Sequence, residues 1–198
     1  MSEYVSSLFE GEEPEPDKAD WTPDFEYTPS LFVDPFAGDY DSLDWDTHYM
    51  KMYGQDVKLP RLIAMYGSSY TYSGIKHPAV PMPPLLAALR RQVEERLQRP
   101  FNSVLCNLYR DGNDSVGWHS DADYPCKGNA WIASVSFGAT RRFRIRHKKS
   151  RDTHHFDLTH GSLIVMKDEA QYDWEHCVPK VGRIVPKRLN LTFRNIVE

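Results

Sequence analysis

The chain has 198 residues, enough for one domain that buries roughly 70% of its unfolded surface. Hydrophobic residues at 40% and aromatics at 13% exclude wholesale disorder. No apolar run approaches the ~18 residues of a membrane span. The net charge of −4 counts against a nucleic-acid partner until it is divided along the chain. Residues 1–50 carry one base, Lys18, against 14 acids, a net of −13, which leaves +9 on the other 148 residues. An acidic stretch therefore precedes a basic body, and the expected organisation is a flexible acidic leader over 1–24 followed by one domain over 25–198. Three cysteines, Cys106, Cys126 and Cys177, show no paired spacing, so a reducing compartment is expected rather than a disulfide framework. The start Met-Ser-Glu-Tyr has neither a basic nor an apolar signal-peptide region, so the protein is not expected to be secreted.

In chain order, Asp34-Pro35 predicts a short helix running toward Leu43. After Pro83-Pro84, residues Leu85, Leu86, Leu89, Val93 and Leu97 recur at helical spacing until Pro100 stops the run. The period then changes to two. Phe101, Ser103, Leu105, Asn107 and Tyr109 share one strand face, with Val104, Cys106 and Leu108 on the other. Further strands are predicted over 132–137, 142–147, 154–158, 162–166, 174–177 and 188–196. The expected order is helices and a lid over 25–100, then an antiparallel sandwich or barrel over 101–198.

Within Trp118-His119-Ser120-Asp121, a strand conformation sends His119 and Asp121 from one face, where they can share a metal ion. His176, at the end of another predicted strand, completes two histidines and a carboxylate, a set that suits non-haem Fe(II) with positions open for O₂. The stretch from Arg188 to Arg194 alternates strictly, with Arg188, Asn190, Thr192 and Arg194 opposite Leu189, Leu191 and Phe193. Two guanidiniums on one face can hold a dicarboxylate, and Asn107 and Tyr109 can add polar contacts.

These stretches, with Pro60-Arg61-Leu62, Tyr66-Gly67, the run 70–74, the run 132–141, His160-Gly161-Ser162-Leu163 and Trp174-Glu175-His176, occur in one order over 25–197. In that order they resemble the AlkB dioxygenases, which remove alkyl groups from nucleic-acid bases, and especially the homologues that accept single-stranded DNA and RNA. The resemblance implies a double-stranded β-helix, or jelly roll, with flanking helices and an N-terminal nucleotide-recognition lid. It implies His119, Asp121 and His176 as Fe(II) ligands, and Asn107, Tyr109, Arg188, Thr192 and Arg194 around 2-oxoglutarate. Which Arg meets which carboxylate stays open, and Asn190 either assists or supports the strand. Tyr72 matches the lid aromatic that stacks a flipped base against His119; Asp123 matches an acidic base contact, and Tyr70 and Ser73 are further lid candidates. The activity implied is O₂-dependent demethylation of bases such as 1-methyladenine and 3-methylcytosine in DNA and RNA, a direct-reversal repair. A monomer in the cytoplasm or nucleus is expected.

Arg141, Arg142, Arg144, Arg146, Lys148 and Lys149 cluster about one strand and its turn, where Arg142 and Arg144 form either a solvated face or a phosphate track. His147, His154, His155 and His160 lack a matching carboxylate set and read as surface or structural residues. Cys177, beside a ligand, is a candidate for oxidation. Two rival readings are the same chemistry on a protein or small molecule, and a nucleic-acid-binding module without catalysis.

Overall fold

The structure is a computed structural model that describes residues 24–47, 49–52, 55–72, 75–121, 131–167 and 170–196. Its elements in chain order are β1 (Phe25–Thr28), β2 (Tyr49–Met52), β3 (Gln55–Lys58), β4 (Leu62–Gly67), β5 (Tyr70–Tyr72), β6 (Ile75–His77) and α1 (Pro84–Leu97). There follow β7 (Ser103–Tyr109), β8 (Val116–His119), β9 (Ile132–Gly138), β10 (Arg141–His147), β11 (Thr153–Leu158) and β12 (Ser162–Met166). The last are α2 (Ala170–Asp173), β13 (Trp174–Val178) and β14 (Arg188–Arg194).

Two antiparallel sheets face each other, a six-stranded one ordered β1-β12-β9-β14-β7-β4 and a four-stranded one ordered β11-β10-β13-β8. Hairpins β2-β3 and β5-β6 stand apart from both. This is the expected jelly roll. The larger sheet is covered on its outer face, where Val104, Cys106, Leu108, Leu189, Leu191 and Phe193 pack on Leu86, Leu89 and Val93 of α1. Between the sheets, Tyr109, Ile132, Ile164 and Met166 meet Phe143, Ile145, Leu158, Trp174 and Val178. Strand alternation thus sends leucines to the helix layer and turns the polar side chains of β14 inward. Among the described residues no helix is long and apolar enough to cross a membrane.

Three expectations need correction. The region 25–100 holds six strands and one α-helix, and β1 and β4 extend the larger sheet. The helix expected from Asp34 toward Leu43 does not form. Asp34 accepts hydrogen bonds from the Phe36 and Gly38 N–H groups as a cap would, but Ala37 and Gly38 take φ of 49° and 83°, a left-handed bend that ends the turn. Only a 3₁₀ turn, Tyr40–Ser42, follows. Lastly, β8 ends at His119, so Asp121 lies beyond the strand rather than two places along it.

Candidate active site

The three predicted metal ligands come together. One ligand atom from each of His119, Asp121 and His176 lies within 4.8 Å of the others. Strand pairing does half of this, because His119 of β8 is directly opposite His176 of β13 and the rings sit 4.3 Å apart. His119 Nδ1 is 2.9 Å from the Gly117 carbonyl, which can only accept, so the proton resides on Nδ1 and the Nε2 lone pair is free for a metal. That nitrogen is 3.8 Å from Asp121 Oδ1. The His176 ring is buried and stacks on Phe143 at 5.1 Å.

Charge prepares the same groups. Burial alone would raise the Asp121 carboxyl, but the Arg194 guanidinium together with His176 and His119 outweighs it and holds the group below the usual carboxylate range. Arg194 Nη2 donates to Asp121 Oδ2 at 2.9 Å. Burial pushes His176 down to about 3, reinforced by the neighbouring His119, so the ring is a neutral donor.

From β14, Arg188 and Arg194 both point into the space between the sheets and are buried, at 1% and 3% exposure. Arg188 donates from Nη2 to Ser136 Oγ at 2.9 Å and lies 4.9 Å over the Tyr109 ring. Its Nε and Nη1 make no geometrically good hydrogen bond among the described residues. Burial pushes its pKa down, helped by the neighbouring Arg141 and opposed by Tyr109. Asn107 and Thr192 line the same cavity, as do His119, Asp121 and His176. Asn190 lines it too, but its amide donates to Ser134 Oγ and the Val135 carbonyl, and its oxygen accepts from Thr192, so the side chain braces β14 against β9.

The donor set fits Fe(II): an imidazole held neutral, a second with its proton fixed on the far nitrogen, and an ionised carboxylate. Nε and Nη1 of Arg188, six positions along β14 from the Arg194 that touches Asp121, fit a carboxylate.

Other predicted residues are placed less fully. Tyr70 and Tyr72 belong to the backbone of β5, opposite His77 and Ile75, and their side chains lie outside the described part. Ser73 and Asp123 lie outside the described residues, as do residues 1–23, most of the acidic leader. Arg142 and Arg144 are on the outer face of the smaller sheet, opposite the buried Phe143 and Ile145. Arg142 pairs with Asp157 at 3.1 Å, and Arg144 lies 5.4 Å over Trp118. With Lys180 and Arg183 they line a groove of about 680 Å³. Arg141, grouped with them by sequence, points inward instead, because strand alternation puts it on the Phe143 face. It is 2% exposed and donates to the carbonyls of Asp111, Asp114 and Pro179. The four histidines do not assemble: His147 bonds Ser150 and His160 accepts from the Gly138 N–H. Cys177 is buried, and burial raises its thiol, so the reactive thiolate is disfavoured.

Three residues of the site carry no role in the sequence reading. Arg61 donates from Nε to Asn107 Oδ1 at 2.7 Å and so turns that amide. Phe143 stacks on His176, and Gln171 accepts from the Asp121 N–H. Only Phe143 has a local cue, its alternation against Arg142 and Arg144; the others act across 46 and 50 residues.

Residues 34–194 match the 2OG-Fe(II) oxygenase superfamily. Over 149 residues, 69% of the chain, the sequence is 45% identical to the alpha-ketoglutarate-dependent dioxygenase alkB homolog 3 of Bos taurus, of which it covers 52%. It is 38% identical over 159 residues, 75% of the chain, to the DNA oxidative demethylase ALKBH2 of Mus musculus, of which it covers 66%. The chain thus spans about half the length of the first of these relatives. The solved structure of OsALKBH1 shares the fold with a TM-score of 0.63 at 17% identity, over 87% of this chain and 98% of that one. Ligand cluster, buried arginines and sequence agree: the chain belongs to the 2OG-Fe(II) oxygenase superfamily, in its AlkB branch.

Proposed function

We propose that this chain is an oxidative demethylase of N-alkylated bases, of the 1-methyladenine and 3-methylcytosine type, in DNA and RNA. The observation that carries this reading is one cavity lined by a two-histidine, one-carboxylate cluster and by a buried guanidinium, Arg188, which is six positions along β14 from the Arg194 that touches Asp121. The names of the relatives, a dioxygenase of the AlkB family and a DNA oxidative demethylase, support the substrate class. His119, Asp121 and His176 would hold Fe(II). Arg188, with Tyr109 beside it, would take the far carboxylate of 2-oxoglutarate, and Arg194, on the metal side, the near one. Asn107 and Thr192 supply polar contacts between them.

When bound, Fe(II) with 2-oxoglutarate and O₂ supplies the oxidation that converts an N-methyl group to a hydroxymethyl lost as formaldehyde, with succinate and CO₂ as co-products. The chain's own part is placement. Arg194 keeps Asp121 ionised and aimed, Gly117 fixes the His119 tautomer, and Phe143 closes one side of His176 against water. On the substrate side, we assign stacking of the flipped base to Tyr72, with Tyr70 and Ser73 in the lid. An acidic contact from Asp123 would favour the positive charge of a methylated adenine or cytosine. Arg142 and Arg144 would carry flanking phosphates along the groove they line. Single-stranded substrate is favoured because a base outside a duplex costs less to flip. The protein would act as a monomer in the cytoplasm or nucleus.

The test is mass analysis of matched methylated DNA and RNA oligomers incubated with the protein, Fe(II), ascorbate and 2-oxoglutarate. Loss of the methyl group with formaldehyde release is expected. Intact oligomers alongside hydroxylation of a protein or small molecule would refute the assignment.

A further inference from the structure

We propose that Gln171, braced by Lys148, is the positioning residue that aims the Asp121 carboxylate at the metal, an inference resting on the metal reading given above. The two histidines need no such device. His119 and His176 face each other across paired strands, and His176 is paired on its other side with Ile145. Asp121 lies two residues past the end of β8, where no ladder holds it. Two contacts replace the ladder. Arg194 grips the carboxylate at 2.9 Å, and Gln171 Oε1 accepts the Asp121 N–H at 2.8 Å. The first acts on the end of a side chain with two rotatable bonds. The second fixes the main chain from which that side chain hangs, and without it the carboxylate would swing about Arg194 with its backbone.

Gln171 is built for this. It is 3% exposed, so water does not compete for its oxygen. An N–H can only donate, so the amide must turn Oε1 toward Asp121, which leaves Nε2 3.7 Å from the Met166 sulfur. Lys148, in the turn after β10, donates from Nζ to the Gln171 carbonyl at 3.0 Å and to Ser120 Oγ at 3.1 Å, and its own N–H donates to the Asp173 carbonyl. Ser120 sits between two ligands. One lysine therefore ties the strut to the ligand segment, and the single turn of α2 serves to deliver one amide oxygen.

Cobalt(II) titration of the full chain without oxygen or nucleic acid, read by its visible absorption, tests this. Gln171→Met keeps the length but offers no oxygen, and is expected to weaken Co(II) binding about 10- to 100-fold, the usual cost of losing an outer-shell partner. Gln171→Glu retains an acceptor in either protonation state and should restore most of the affinity. Lys148→Met, at an exposed position, should weaken binding by a smaller factor. A purely structural role would lower the melting temperature of the metal-free protein and leave the Co(II) dissociation constant and spectrum of the folded protein alone. Unchanged affinity and spectrum in Gln171→Met would overturn the proposal, and if that variant does not fold, the same result in Lys148→Met would. A wild-type chain that takes up no Co(II) would overturn the metal reading itself.

Discussion

Replacing Arg188 with Met should separate cosubstrate binding from stability in opposite directions. The guanidinium is 1% exposed, donates to Ser136 and lies against Tyr109, while Nε and Nη1 make no geometrically good hydrogen bond among the described residues. If those two nitrogens take a carboxylate, the variant loses two charge-assisted hydrogen bonds, at about 1.5–3 kcal/mol each. At about 1.4 kcal/mol per tenfold, the KM for 2-oxoglutarate should rise roughly 10²- to 10⁴-fold. In the cosubstrate-free protein the same side chain is a buried charge that burial penalises, so an apolar replacement of similar length is expected to be neutral or stabilising. For a chain of this size each kcal/mol corresponds to about 2–4 °C. Arg188→Met should therefore melt at or above the wild-type temperature while losing the upward shift that 2-oxoglutarate gives the wild type. The assay is succinate formation against 2-oxoglutarate concentration, with thermal melts in its presence and absence. A KM within threefold of wild type, or a ligand-free melting temperature several degrees lower, would refute the reasoning.

Three further outcomes are expected. Asp114 accepts from Arg110 Nε, Nη2 and N–H at 2.7–2.9 Å; burial works to raise its carboxyl, yet these bonds hold it below the unfolded value near 3.9. The unfolded chain then takes up the proton first, so this stabilisation is present above about pH 4 and fades as the pH falls through the lower folded value; Asp114→Asn should lose about 1–3 kcal/mol near neutrality and flatten that acid limb in pH-dependent urea melts. Gly138 sits at φ +81° directly opposite Arg188, and a Cβ there would strike the Lys187 carbonyl, so Gly138→Ala should cost roughly 1–3 kcal/mol and raise the KM for 2-oxoglutarate by displacing the start of β14; unchanged kinetics would separate that backbone from the site. Arg144→Ala should reduce the salt slope of oligonucleotide binding by about one unit, measured by anisotropy across ionic strengths, and an unaltered slope would remove the phosphate role.

What could be read beforehand follows from where the information lies. In β14 the two faces meet different layers, so alternation alone told which side chains enter the cavity. In the smaller sheet β10 and β11 alternate between more and less buried positions and are legible for the same reason. By contrast, β4 is buried on both faces over much of its length and carries no period to read. Ala37 and Gly38 take left-handed backbone that a proline-started helix pattern does not announce. Arg61 and Gln171 are polar residues in unremarkable surroundings whose partners arrive only with the tertiary fold. The metal ligands were legible by residue type, but the reason Asp121 stays in place was not, since its strand stops short of it.

The position of β14 has a consequence for how the protein is made. It lies between β9 and β7, paired to both along nearly its whole length, and it follows both of them, and every other described strand, in sequence. During synthesis the larger sheet therefore exists as two separate pieces, β1-β12-β9 and β7-β4, each presenting a long open edge. Pairing of β14 with β7 joins residues 79 to 91 positions apart, a non-local closure that is slow relative to local structure. The strand that closes the sheet also carries both arginines, so if they hold 2-oxoglutarate as proposed, the cosubstrate cannot assist assembly before β14 inserts. Until β14 inserts, the half-sheets are open to edge-to-edge association, and a chaperone that shields them would act on this protein before that insertion.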